Sequence, residues 1–115
     1  MLDHVRFEIP GHPLHVIQRG RLRSACFFGD EDCSEYLLWL GEYAARFACS
    51  VHAYVLMGNH VHLLVTPSRA GGVADLMRSL VERHAAYVDA TYHRDGALWD
   101  DGYQASAVHV GRYLL

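Results

Sequence analysis

The sequence predicts an α+β domain in which helices pack on an antiparallel sheet. Its 115 residues are enough for a single hydrophobic core, so we expect one domain over residues 1–115. Two amphipathic stretches with helical spacing alternate with short β-rich runs. Two of these runs are separated only by Gly58 and Asn59, a pair that suits a tight hairpin turn. The predicted order is strand, helix, hairpin, helix, strand.

The first strand and the first helix occupy residues 14–48. The segment LHVIQRG alternates enough to form a short strand that ends at Gly20. Asp30 is the predicted N-cap of the helix, because acidic residues fill the turn that follows it. The segment DEDCSEYLLWLGEYAARFA then places one apolar stripe on the helix, formed by Leu37, Leu40, Ala44 and Phe47.

The second half of the chain supplies the hairpin, a helix and a last strand. SVHAYVLM and HVHLLVTP are the two hairpin strands, and SRAGG is a loop. The helix VADLMRSLVERHAAYVDATY repeats apolar residues at Val73, Leu76, Leu80 and Tyr87. YQASAVHV is a further predicted strand. GRYLL resembles the start of another helix, which we expect to be incomplete because no glycine, basic turn or proline follows Leu115.

Composition excludes several classes of protein. The formal net charge is −3, so the overall charge does not indicate nucleic-acid binding, and that function must rest on a local site. Cys26, Cys33 and Cys49 are an odd number at wide spacings, which predicts reduced thiols rather than a disulfide framework or a cysteine zinc site. No stretch is apolar enough for a signal peptide or a membrane span. We expect a soluble, cytoplasmic protein.

Two of the nine histidines form the most informative pattern, in MGNHVHLLV at residues 57–65. Successive strand side chains point to opposite faces, so His60 and His62 share one face, about 7 Å apart along the strand. Both imidazoles can therefore bind one divalent cation and leave positions open for water or a substrate oxygen. The alternative is that both are ordinary solvated side chains on a half-exposed strand.

The segment YVLMGNHVHLLVTP resembles the signature of the single-tyrosine HUH transposases, which include insertion-sequence and REP-associated tyrosine transposases. In that family the segment usually reads MPNHVHLL. The similarity extends upstream to HPLHVIQRG and FF, and downstream to YHRDGALW and YLL, so that it spans nearly the whole chain. It implies a ferredoxin-like, two-layer HUH domain.

The resemblance also implies a chemistry. In the family the two histidines hold Mg²⁺ or Mn²⁺, which polarises the scissile phosphate of single-stranded DNA, often folded as a hairpin. A tyrosine attacks, giving a 5′-phosphotyrosine intermediate and a free 3′-hydroxyl. Because a phenol is a weak nucleophile at neutral pH, it needs this charge stabilisation and alignment to react. The resemblance thus predicts cleavage and joining of single-stranded DNA, as in DNA transposition.

The catalytic tyrosine is the main departure from the family pattern. It normally lies on a helix a few residues after the YLL element, followed one turn later by a polar metal ligand. We therefore expect both beyond Leu115, and the chain to be an inactive, shortened product or the product of a decayed gene. Tyr113 is the only tyrosine near the expected place for the nucleophile. Its position matches the tyrosine of YLL, which family members place on the apolar side of that helix. Tyr87, Tyr92 and Tyr103 are predicted core or groove residues.

The residues expected to contact nucleic acid follow the first strand or precede the histidine pair. They are Gln18, Arg19, Arg21, Arg23 and Asn59. Arg78, Arg83 and His84 on the second helix are further candidates, and Trp99 either stacks on a base or closes the core. Gly58 replaces the usual proline of the family. WDDGYQ replaces a basic segment, so we expect weaker DNA binding than relatives show.

Three alternatives remain open or are excluded by the pattern. Histidine-triad nucleotide hydrolases need a third histidine where Leu64 stands, so that class fails. A non-catalytic single-stranded nucleic-acid-binding remnant or regulator keeps the fold without the chemistry, and a purely structural fragment would bind no metal.

A homodimer is also expected, because family members are often dimers and a missing final helix would expose an apolar sheet face.

Overall fold

The computed structural model describes residues 8–108. Its strands are β1 (Leu14–Arg19), β2 (Cys49–Met57), β3 (His60–Pro67) and β4 (Gln104–Ala107), and its helices are α1 (Asp30–Arg46) and α2 (Gly72–Tyr92). The sheet order is β2-β3-β1-β4, and every neighbouring pair is antiparallel. The predicted α+β class is confirmed, and the strand order is that of a ferredoxin-like domain.

The two faces of β3 differ sharply in burial. Its odd-numbered residues Val61, Leu63 and Val65 are buried in the core with apolar residues of both helices. Its even-numbered residues are only half-buried and point to the other side of the sheet. We call this side the open face, which carries His15, Arg19, His60 and His62. Within residues 8–108 both helices pack on the opposite side.

An aromatic cluster fills the space between the two helices and the sheet. His84 lies inside it, 0% exposed, with Phe27, Tyr36 and Trp99 around its ring. Its Nε2 is 2.8 Å from the carbonyl oxygen of Cys26. The prediction that His84 contacts DNA was therefore wrong, since its helical position faces the core. Trp99 is 5% exposed and closes the core, which was the second of the two roles considered for it.

Carboxylates at the starts of the two helices make hydrogen bonds that local sequence patterns did not predict. Gly29, not Asp30, is the N-cap of α1, and Asp30 is the first helical residue. The carboxylate of Asp32 accepts a hydrogen bond of 2.7 Å from the N–H of Phe28. The Glu8 carboxylate accepts the N–H groups at the start of α2, at 2.9 and 2.8 Å, across more than 60 residues of chain.

The end of the sheet is shorter than predicted within the described range. β4 covers residues 104–107, whereas the expected strand ran over residues 103–110. The GRYLL segment, including Tyr113, lies outside the described residues. Neither helix within residues 8–108 is long and apolar enough to cross a lipid bilayer.

Candidate metal and nucleic-acid site

His60 and His62 lie side by side on the open face. Their ring centroids are 4.8 Å apart, and the ring planes are nearly perpendicular, at 77°. Both side chains are half-buried, so each is positioned by the sheet while remaining reachable from solvent. The shared face is the one that strand alternation predicts.

Hydrogen bonds to Nδ1 fix the orientation of both rings. Nδ1 of His60 is 2.7 Å from Oδ1 of Asn59, and an amide oxygen only accepts, so His60 carries a proton on Nδ1. Nδ1 of His62 is 3.0 Å from Nε2 of His15. Within residues 8–108 the Nε2 atoms of His60 and His62 make no hydrogen bond. The Nε2 atoms of the two rings are therefore the nitrogens available to a metal.

The surroundings favour an uncharged ring at His62. Burial lowers its pKa, and the neighbouring His60, His15 and Arg19 lower it further by electrostatic repulsion of a proton. A neutral imidazole is the form that ligates a metal. Arg19 lies opposite His60 in the β1–β3 register, and its Nη1 donates a hydrogen bond of 2.9 Å to Oε1 of Gln104.

The donor set fits a divalent cation that keeps open positions. Imidazole nitrogens suit first-row transition-metal ions, and they are less usual ligands than oxygen for Mg²⁺. Among the residues that the structure describes, no group of three or more histidine, cysteine or acidic side chains is arranged to hold an ion. A cation on His60 and His62 would thus need water, phosphate oxygens or residues outside that range to complete its coordination.

A strained turn lies directly beside the pair. We call Arg21–Arg23 the arginine tip. Leu22 and Arg23 have positive φ angles of 53° and 61°, a region that costs branched and long side chains energy. Gly20 precedes the tip, and a Cβ there would meet the carbonyl oxygen of Ser24 at 2.1 Å. The close approach therefore requires glycine at position 20.

Asn59 connects the arginine tip to the hairpin turn. Its backbone carbonyl accepts the N–H of Gly20 at 2.8 Å, and its Nδ2 donates to the carbonyl oxygen of Arg23 at 3.3 Å. The N–H of Arg21 donates to the carbonyl oxygen of Leu98 at 2.9 Å. These bonds hold the tip against the turn that leads into His60.

Not all of the predicted nucleic-acid contacts are accessible. Arg19, Arg21 and Arg23 are exposed, and Leu22 at the tip is 86% exposed. Gln18 is only 2% exposed, and its amide donates to backbone carbonyls of the 100–102 segment. Gln18 therefore has a structural role, which corrects its assignment as a DNA contact, because alternation places it on the helix side of β1.

The second predicted group of contacts does not lie with the site. Arg78 pairs with Asp75 at 3.5 Å, and the guanidinium of Arg83 lies over the ring of Trp39 at 5.0 Å from its centroid. Both arginines are on α2, which packs on the side of the sheet away from the histidine pair. Arg78 and Arg83 are thus separated from the open face by the sheet.

Acidic residues border the arginine side of the open face. A cleft of about 180 Å³ is lined by Ile17, Arg19 and Gln104 and by Asp100 and Asp101. These carboxylates come from the WDDGYQ segment. They place negative charge beside a guanidinium that would otherwise be available to a phosphate.

His15 is the site residue that the sequence analysis missed. Its ring is nearly parallel to that of His62, with planes inclined by 17° and centroids 5.3 Å apart, and the two rings meet through nitrogen atoms 3.0 Å apart. The two residues are 47 positions apart in the chain. The available signal was the alternation of β1, which puts His15 on the same face as Arg19, but only the strand register brings it to His62.

The family model described as "Transposase IS200 like" matches residues 9–113 of the chain. The chain belongs to the IS200-like transposase family. The resemblance inferred from MGNHVHLLV is thereby confirmed. A search of curated proteins gives no match for this IS200-like transposase sequence.

Two solved structures show the same fold as this IS200-like chain. A candidate transposase from Deinococcus radiodurans R1 superposes with a TM-score of 0.67 at 22% identity, over 96% of this chain and 90% of that one. The REP-associated tyrosine transposase bound to a REP hairpin gives a TM-score of 0.64 at 14% identity, over 95% of this chain. The chain spans 63% of the length of the latter.

Proposed function

We propose that this chain acts on single-stranded or hairpin DNA, holding Mn²⁺ or Mg²⁺ on His60 and His62 for cleavage and joining through a phosphotyrosine. The observation that carries the proposal is the pair of Nε2 atoms left free on the open face, beside an exposed arginine tip. Membership of the IS200-like transposase family supports it. The structure of a protein of the same fold bound to a REP hairpin also supports the proposal.

The chain's own residues supply binding and orientation. A bound divalent ion would stabilise charge on the oxygens of the scissile phosphate. His60 and His62 would hold that ion, and their Nδ1 hydrogen bonds keep the rings from turning. Arg19, Arg21 and Arg23 bind neighbouring phosphates, and they position the strand without reading its sequence.

The covalent step transfers a phosphoryl group to a tyrosine. The phenolic oxygen forms a bond to phosphorus, the P–O3′ bond breaks, and the 3′ oxygen leaves as a hydroxyl with the proton released by the phenol. Joining is the reverse, with a 3′-hydroxyl displacing the tyrosine. Each step conserves the number of phosphoester bonds, so no further energy source is needed.

The nucleophile is the part of the proposal that residues 8–108 do not supply. Four tyrosines lie on the helices, namely Tyr36, Tyr43, Tyr87 and Tyr92. Tyr54 is opposite Leu63 on the helix side of the sheet, and Tyr103 is partly buried against the core. Tyr113, outside the described residues, is one candidate for the nucleophile, and a tyrosine beyond Leu115 is the other. A non-catalytic single-stranded DNA-binding protein or regulator is the second candidate function, because the exposed arginine tip and the histidine pair can bind DNA without a nucleophile.

Metal binding provides the first test. We expect Mn²⁺ to bind the wild type in a calorimetric or electron paramagnetic resonance titration, and the His60→Ala and His62→Ala variants to lose that binding. His52→Ala is the matched control, because His52 is an exposed histidine on β2 that hydrogen-bonds Thr66 instead. Equal Mn²⁺ binding by all four proteins would refute the site.

A covalent assay separates the two candidate functions. The chain is incubated with labelled hairpin DNA and Mn²⁺, beside a Tyr113→Phe variant and a version extended at the C-terminus with a tyrosine-bearing helix. A covalent protein–DNA band in the wild type that Tyr113→Phe abolishes assigns the nucleophile to Tyr113. A band only in the extended version identifies this chain as a binding protein that retains a competent site. No band in any version contradicts the catalytic proposal.

Assembly into a homodimer is part of the proposal. β2 is an edge strand of the sheet and exposes Tyr54, Val55 and Met57, at 51%, 51% and 47%. Exposed edges with apolar side chains favour pairing with another chain. Light scattering over a dilution series should show a dimer that dissociates on dilution, and a monomer at every concentration would contradict this. The predicted cytoplasmic location stays a prediction.

A further inference from the structure

We infer that His15 is a positioning residue for metal binding, which accepts a hydrogen bond from His62 and so directs the Nε2 lone pair of His62 toward the cation. The inference rests on the proposed metal site. It adds a residue on a different strand that the histidine motif itself does not contain.

The contact between the two rings allows only two arrangements of the proton. Nε2 of His15 and Nδ1 of His62 are 3.0 Å apart, a hydrogen-bond distance, so one nitrogen donates and the other accepts. If His15 donates, a neutral His62 must carry its own proton on Nε2. If His62 donates, its Nε2 has the free lone pair.

Metal binding selects the second arrangement. A cation bound through Nε2 of His62 requires the proton to be on Nδ1, which then points at His15. A neutral His15 can accept this hydrogen bond at Nε2 when its own proton is on Nδ1. That Nδ1 atom makes no hydrogen bond within residues 8–108. The acceptor for the Nδ1 proton of His62 is therefore in position before the cation binds, as outer-shell acceptors are in other metal sites.

The strand register makes this contact specific to His15. Ile17 is the residue directly opposite His62, so His15 reaches it along the diagonal of the antiparallel pair. The two ring planes are only 17° apart, which suits a hydrogen bond that lies close to the plane of both rings. His60 has the equivalent acceptor in Asn59, at 2.7 Å. Both members of the pair thus have one dedicated acceptor at Nδ1.

Mn²⁺ titration of four proteins tests the inference without an activity assay. They are the wild type, His15→Leu, His15→Gln and His52→Leu. We expect His15→Leu to bind Mn²⁺ about 10- to 100-fold more weakly, the usual cost of losing an outer-shell partner. His15→Gln retains an acceptor and should bind close to the wild-type affinity. His52→Leu removes a histidine that contacts Thr66 and should not change the affinity.

Nitrogen-15 NMR of the imidazoles reports the tautomer of His62, which a purely structural role of His15 would not determine. With Zn²⁺ as a diamagnetic probe, the wild type and His15→Gln should show His62 protonated at Nδ1 and bound through Nε2. His15→Leu should show a mixture of tautomers for His62. This measurement also distinguishes a positioning role from a general loss of fold, because a misfolded variant would lose the dispersed spectrum.

The outcomes separate this inference from the proposal on which it rests. Wild-type affinity in His15→Leu, with His60→Ala still defective, overturns the role of His15 and leaves the metal site standing. An equal loss in His15→Leu and His15→Gln also overturns it, since the acceptor would then not matter. No Mn²⁺ binding by the wild type overturns both.

Discussion

The side chain of Asn59 accepts a hydrogen bond from His60, with its Oδ1 2.7 Å from Nδ1 of the ring. Through its Nδ2 the same amide donates to the carbonyl oxygen of Arg23, at 3.3 Å. One side chain therefore links a proposed metal ligand to the arginine tip. Asn59 was predicted to contact nucleic acid, and the structure gives its amide two intramolecular partners.

Two replacements of Asn59 should distinguish its effect on His60 from its effect on the arginine tip. Asn59→Ala removes both hydrogen bonds, and we expect about 10-fold weaker Mn²⁺ binding, because His60 loses the acceptor that orients it. Asn59→Asp keeps an acceptor for His60 and loses the donor to Arg23, so it should retain Mn²⁺ affinity while loosening the tip. Calorimetry reports the first effect, and amide hydrogen exchange at residues 21–24 reports the second. Equal Mn²⁺ affinity in both variants would contradict the proposed linkage.

The arginine tip should contribute to DNA affinity by neutralising phosphates. Arg21→Ala and Arg23→Ala each remove an exposed guanidinium, so each should weaken binding of single-stranded DNA for all sequences. The slope of log K against log salt concentration should fall by about 0.7 for each phosphate that is no longer neutralised. Fluorescence anisotropy at several salt concentrations measures both quantities. Arg46→Ala is the control, because Arg46 lies over the ring of Tyr43 on α1. A reduction as large in the control would show that net charge alone sets the affinity.

The strain at Leu22 should be measurable as stability. Its φ of 53° is costly for leucine and easily adopted by asparagine, and its side chain is 86% exposed, so replacement removes little packing. We expect Leu22→Asn to raise the free energy of unfolding by about 0.5–1 kcal/mol. Urea unfolding measures this. Leu38→Asn, at an exposed helical position, should be neutral or destabilising. A gain in both variants would point to a general effect of surface polarity.

Two glycines should respond to alanine with opposite signs. At Gly20 an added Cβ would overlap the backbone oxygen of Ser24, so Gly20→Ala should destabilise the protein and displace the tip. At Gly41, in α1, a Cβ would meet nothing within 4 Å, so Gly41→Ala should stabilise it by about 0.5–1 kcal/mol. Thermal unfolding of both variants tests this pair. The same sign for both would mean that the turn at residue 20 can rearrange freely.

Burial of His84 should make stability sensitive to acid. Burial lowers its pKa, although its hydrogen bond to the Cys26 carbonyl and the charge of Asp32 oppose that shift. Below about pH 6.5 the unfolded chain takes up a proton that the folded protein resists. Stability is therefore complete above that pH and falls as the pH drops toward the folded-state pKa. The decrease is at most about 1.4 kcal/mol per pH unit for one proton.

The variant His84→Phe isolates this contribution. Its stability should change less between about pH 7 and pH 5 than that of the wild type, because the buried titratable ring is gone. Urea unfolding at each pH provides the comparison. His52→Phe changes an exposed histidine and should keep the wild-type dependence. An unchanged slope in His84→Phe would assign the acid sensitivity to other groups.

Local patterns predicted the elements well because each depends on neighbours in sequence. The Gly58-Asn59 hairpin, the helical stripe of α1 and the alternation that puts His60 and His62 on one face are all properties of short segments. The family motif added the fold and the metal hypothesis. It was harder to predict which polar side chains would be buried. Gln18 and His84 are polar, but their positions on β1 and α2 place both side chains in the core.

The sequence by itself determined which elements form and which histidines share a strand, since hydrophobic period and turn chemistry act over a few residues. Only the tertiary structure decided what those histidines touch. The hydrogen bond between His15 and His62 depends on the register between β1 and β3, and the bond from Asn59 to Arg23 depends on a strained turn folding back onto the hairpin. Such contacts join positions far apart in the chain, so no local pattern specifies them.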